Sequence, residues 1–79
     1  MTNKNKSYSF IVDGMKRENE VLLNKALATV TGVDKVIVDS DNSVIQIFAR
    51  KGNRKDFQTY INAAIEALGL LNINVRTSI

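Results

Sequence analysis

Apolar and polar residues change rhythm several times along this chain, and each change marks an element. Tyr8, Phe10 and Val12 alternate with Ser9 and Asp13, Ile11 being the one apolar exception. A period of two predicts a half-buried strand. From Glu18 the period lengthens: Leu23, Leu27 and Val30 recur at steps of four and three, flanked by Leu22 and Ala26. That stripe predicts a helix over 18–31. Glu18 and Glu20 fall in its first turn, where carboxylates oppose the positive end of the helix dipole. Gly32 follows the last apolar residue and is expected as a left-handed C-cap.

The stretch "VDKVIVD" (33–39) is rich in β-branched residues, "SDNS" is turn chemistry, and "VIQIFAR" (44–50) returns as a strand. Residues 33–50 therefore read as a β-hairpin. Phe57, Ile61, Ala64, Ile65 and Leu68 fall on one face of a second helix over 55–68, closed by Gly69. Leu71, Ile73 and Val75 then alternate with Asn72, Asn74 and Arg76, a last strand with one wet face.

The order is β-α-β-β-α-β. Two helices with one apolar stripe each are buried most economically on one face of a four-stranded antiparallel sheet. Right-handed crossovers put the first and third strands in the centre. The expected class is α+β, a ferredoxin-like βαββαβ sandwich. Its loops fall at two poles: the 14–20 loop, the 39–43 turn and the Gly69 turn at one, the Gly32 turn and the 50–56 loop at the other.

Composition narrows the chemistry more than the fold. Seventy-nine residues make one domain, expected over 7–79 behind a disordered polar tail at 1–6. A chain this short buries roughly 60–65% of its unfolded surface. There is no cysteine and no histidine, so disulfides, thiolate metal sites and the commonest general base are excluded. No Ser/His or Cys/His constellation exists, so no enzyme and no cofactor are expected. No apolar run approaches the ~20 residues that span a bilayer. Neither membrane insertion nor a signal peptide is read, and a cytoplasmic location is expected.

The loop "GMKRENE" (14–20) joins the first strand to the first helix. Together with "FIVDGM", "ALATVTGV", "KVIVD" and "INAAIEALGL", it resembles the heavy-metal-associated domains of copper chaperones and metal-pumping ATPases, over about residues 8–77. That family binds soft metal through a Gly-Met-x-Cys-x-x-Cys loop. Counted forward from Gly14-Met15, the two cysteine positions are held by Arg17 and Glu20. Counted back from Gly32-Val33, they fall on Lys16 and Asn19. Neither register supplies a thiolate, and a lysine or arginine has no lone pair to donate. The resemblance therefore implies a degenerate member without a metal site.

Three readings of the loop remain. In one, Met15 plugs the core, Gly14 makes a turn and Lys16–Glu20 are a solvated helix start. In another, Gly14, Met15, Lys16, Arg17, Asn19 and Glu20 form a docking loop for an unidentified protein partner. In the third, Asp13 with Glu18 or Glu20, Asp39 and Asp41 hold a hard cation, against the repulsion of Lys16 and Arg17.

Net charge is +3, too mild to imply nucleic acid unless the cations cluster. They do gather at the second pole, where Arg50, Lys51, Arg54 and Lys55 join Lys4 and Lys6. An anion contact through Arg50, Lys51, Arg54 and Lys55 is the alternative function. The aromatic strand motif of RNA-binding sheets is absent, so nucleic acid is the disfavoured partner. Phe48 is apolar on a strand apolar on both faces, and its direction is open. If Ile45 and Ile47 point inward, then Ile11, Ile37, Val44 and Phe48 form an association surface open to a homodimer.

Overall fold

The computed structural model describes residues 6–76. Six elements follow in the expected order: β1 (Lys6–Asp13), α1 (Arg17–Ala28), β2 (Val33–Asp39), β3 (Val44–Ala49), α2 (Arg54–Ala67) and β4 (Asn74–Arg76). All pairings are antiparallel, and the strand order is β2-β3-β1-β4. The chain has the ferredoxin-like fold, with β1 and β3 in the centre.

Alternation decides which strand residues meet the helices. Phe10 and Val12 of β1 are 2% and 0% exposed, and Ile45 and Ile47 of β3 are 0% and 1% exposed. They pack against Leu23 and Leu27 of α1 and Phe57 and Ile61 of α2, all but fully buried. Each such side chain contributes about 1.5–3 kcal/mol of burial. Val44 and Phe48 thereby turn to the face without helices, where Ile11 and Ile37 are each 39% exposed. The direction of Phe48 is thus settled, and Lys35 Nζ lies 5.9 Å from its ring centre.

The second helix starts on a cap suited to it. Asn53 Oδ1 accepts from Asp56 N–H at 2.9 Å at the head of α2, and Asp56 in the first turn offsets the neighbouring cations. The far end closes with Leu70 N–H on Ile65 O and Gly69 N–H on Glu66 O, the paired bonds of a Schellman motif.

Four boundaries differ from expectation. β1 begins at Lys6, inside the segment read as a tail, while residues 1–5 lie outside the described ones. α1 ends at Ala28, so Val30 sits half-buried in the turn that follows. Gly32 is not a C-cap: at φ +92 it is the third residue of a turn closed by Val33 N–H on Val30 O at 3.1 Å. The last strand begins at Asn74 rather than Leu71, and Leu71 is 90% exposed. The bonds Leu71 N–H to Gly69 O and Ile73 N–H to Leu70 O keep this stretch coiled.

The ladder also fixes which backbone groups face the sheet edge. Val12 N–H donates to Ser43 O at 2.8 Å, so Val12–Ser43 is a bonded pair of β1 and β3. Alternation then turns the polar groups of Val44, Gln46 and Phe48 towards β2, where they meet Asp39, Ile37 and Lys35. Val36, Val38 and Ser40 are left facing outward. Two side chains one turn apart on α1 engage the first and last of these three residues. Asn24 Nδ2 donates to Val36 O at 2.8 Å, and Glu20 accepts from Ser40 N–H at 2.9 Å.

Candidate functional site

The loop between β1 and α1 is built from the inside out. Gly14 has φ +91, and a Cβ there would stand 2.1 Å from the carbonyl oxygen of Asn72. The loop therefore rests directly on the turn before β4. Met15 descends into the core at 9% exposure. Lys16 is the N-cap of α1, in extended backbone. A lysine cannot accept a hydrogen bond, so the capping comes from the third helical position instead. Lys16 N–H donates to Asn19 Oδ1 at 2.7 Å, and Asn19 N–H donates to Lys16 O at 2.8 Å. At 7% exposure, Asn19 is the buried polar side chain among the described residues.

Glu20 turns to the β2–β3 hairpin. One of its carboxylate oxygens accepts from Ser40 Oγ at 2.6 Å as well as from Ser40 N–H. The hydroxyl bond first, then the backbone bond, holds the Glu20 carboxyl below its ordinary value of 4.5. Arg17 reaches Asp41 at 3.8 Å with both side chains mostly in water, an ion pair worth about 0–1 kcal/mol. The loop read as a docking site is thus tied to the core by Met15, to its own helix by Asn19 and to the hairpin by Glu20. Gly14, Lys16 and Asn19 line a recess of about 190 Å³ with Glu18, Gly69 and Leu71. Lys16 and Arg17 stay exposed.

A depressed carboxyl ties stability to acid. The contribution of Glu20 is fully present above its unfolded value near 4.5 and disappears as pH falls through the lower folded value. The urea midpoint of the protein is expected to drop on acidification below pH 4.5. Glu20→Gln should lower the midpoint at pH 7 and flatten that acid slope. Parallel profiles for the two proteins between pH 3 and 7 would show the Ser40 contact to be inconsequential.

The donor set does not fit a soft metal in either register. Lys16 and Arg17 are cations, Asn19 is an amide already bonded to Lys16, and Glu20 is held by Ser40. Nor do the carboxylates gather for a hard cation. Asp13 bonds Arg76, Asp39 accepts from Asn42, and Asp41 faces Arg17. Among the described residues no cluster of three or more potential ligands forms.

At the opposite pole the four cations of 50–55 separate. Arg50 and Lys51 line a recess with Thr31 and Gly32, and Arg50 Nε lies 3.3 Å from Asp34 Oδ1. Arg54 instead folds over β1, with a nitrogen on Ser9 O and its guanidinium 4.7 Å from the Phe10 ring centre. Lys55 is exposed on the first turn of α2, and Lys4 lies outside the described residues.

Two contacts escaped the sequence reading, the bond of Asn24 to Val36 and the burial of Asn19 as a cap, although Asn19 itself was named in the loop. Asn24 was not singled out, because an asparagine on a helix does not announce a strand carbonyl as its partner. Asn19 carried a signal that was available: stepping the Leu23–Leu27 stripe back by four lands on it, a polar residue at a core position.

No protein-family model matches the sequence, and no curated protein matches it in sequence. Solved structures do match. The CsoZ metallochaperone superposes at a TM-score of 0.68 with 13% identity, covering 94% of this chain and all of that one. The CopZ metallochaperone gives 0.65 at 19% identity, covering 90% of this chain and 100% of the other. The N-terminal domain of the zinc(II) ATPase ZiaA gives 0.68 at 18%, over 92% of this chain and 65% of that one. At such identities the likeness establishes the fold, which is that of small metallochaperone domains. Among the described residues no helix is long and apolar enough to cross a membrane.

Proposed function

We propose that this chain is a non-enzymatic docking domain of the cytoplasm, built on the metallochaperone fold, whose first loop contacts a protein partner and carries no copper or zinc. The observation that carries the reading is Asn19. Buried at the head of α1 and bonded to Lys16 N–H, it fixes by hydrogen bonds the loop that its structural neighbours' fold devotes to a metal. A loop held this way presents the backbone of Lys16 and Arg17 in one arrangement, with Lys16 near the exposed Leu71. Fixed geometry lowers the ordering cost of association. The partner surface that fits is an acidic rim around a pocket of leucine size. A link to metal homeostasis follows from the resemblance, through the partner rather than through a bound ion.

Two measurements test this. Copper(I) or zinc(II) added at micromolar concentration should leave the amide spectrum of residues 14–20 unchanged, since ligands for soft metals are absent. A saturable one-to-one complex at the loop would overturn the metal-free reading. Charge reversal by Lys16→Glu with Arg17→Glu should abolish capture of the partner, chiefly by slowing association. Arg50→Gln with Lys51→Gln should leave capture intact. The reverse pattern would move the docking surface to the other pole.

A further inference from the structure

The turn between α1 and β2 and the loop between β3 and α2 meet at the pole opposite Gly14. Arg50 N–H donates to Gly32 O at 3.1 Å, which binds the two segments together. The stem of Lys51 lies along Gly32, whose Cβ position is 3.2 Å from Lys51 Cβ. Between them opens a recess of about 460 Å³ lined by Thr31, Gly32, Arg50 and Lys51. The lining comprises two cations, a hydroxyl and glycine backbone, with no carboxylate.

We propose that this recess binds a phosphate group. Asp34 engages Arg50 through Nε, and the Nη groups of a guanidinium carry further donors for a second acceptor. Arginine presents donors in a planar fork that matches phosphate oxygens, and lysine adds a mobile point charge. Arg54 takes no part, because it is turned onto Ser9 and Phe10. The site is therefore narrower than the whole basic loop, comprising two of its four cations together with Thr31 from the neighbouring turn. Asp34 lowers the local charge, and the recess is open to solvent, so binding is weak, with a Kd of about 1–10 mM for a lone phosphate.

The phosphate could be free or part of a nucleic-acid backbone, and titration separates the two sources. Inorganic phosphate, added at constant ionic strength against sodium chloride, should shift the amides of Thr31, Gly32, Arg50 and Lys51 saturably. Lys51→Gln should weaken this at least about tenfold while preserving the Arg50–Asp34 pair, and Lys55→Gln should not change it. A single-stranded thymidine decamer provides the second arm. If it shifts the same amides and binds more tightly than inorganic phosphate, the source is a polynucleotide; if it binds no better, the source is a free phosphate compound. Shifts equal to those from chloride overturn the proposal. So do shifts that survive Lys51→Gln, or shifts centred on Arg54 and Lys55.

Discussion

Replacing Lys16 and Asn19 together with cysteine is expected to create a thiolate site for copper(I) or zinc(II), about 100-fold tighter than the site made by Arg17→Cys with Glu20→Cys. Both pairs have the same spacing, so the difference comes from their surroundings. Residues 16 and 19 are the N-cap and third position of α1, where helix N–H groups stabilise a thiolate and lower its pKa. A sulfur at 19 would also sit where Asn19 Oδ1 now accepts from Lys16 N–H. Residues 17 and 20 face the hairpin instead. There Asp41 would oppose a second negative charge, and Ser40 N–H would lose its acceptor. Competition against a chelator, read by metal–thiolate absorbance, gives both affinities. Equal affinities, or a tighter 17/20 pair, would place the metal-loop register on Arg17 and Glu20.

Gly14→Ala should destabilise the domain by about 2 kcal/mol or more, the left-handed backbone alone costing a β-carbon about 1–2 kcal/mol. The added methyl would meet a backbone oxygen at 2.1 Å, which cannot swing aside as a side chain could. A domain of this length has about 4–12 kcal/mol in all, so a large share is lost. Gly69→Ala is the control, because Gly69 also has positive φ, at 70°, but nothing lies within 4 Å of its Cβ position. Urea midpoints of the two variants should differ by the cost of the Asn72 contact. Equal losses would mean that the loop does not press on that turn.

The architecture was readable because periodicity follows from burial, and here burial and sequence agree. Phe10, Leu23 and Ile61 sit where their spacing put them, whereas the inward direction of Ile45, on a strand apolar on both faces, came only from the structure. The misreadings share a cause: apolar residues near an element's end do not say whether the backbone continues. Val30 and Leu71 both extended a pattern that local hydrogen bonds had already ended. At the loop, the sequence revealed what was missing, two thiolates, but not what had replaced them. The bond between Lys16 N–H and Asn19 follows a helix start that is fixed only by the surrounding structure. The bond between Glu20 and Ser40 joins residues 20 apart in sequence, which no local pattern encodes. The basic cluster was legible as a run of charge. Its division between Arg50 with Lys51 and Arg54 on β1 was not, because side-chain direction depends on which strand lies alongside.

The partial cover of β2 by Asn24 and Glu20 has a consequence during synthesis. An outer strand with vacant amides and carbonyls is a template on which identical chains can stack into fibrils. Here the two ends of the template are engaged by a helix that precedes it in the chain, so on a ribosome this partial mask emerges before the strand it covers. Any newly made copy in which α1 has not yet docked exposes "VDKVIVD" as an adhesive surface. Weakening the mask at Asn24 is therefore a change whose first symptom is turbidity during expression rather than a lower melting point in the purified protein.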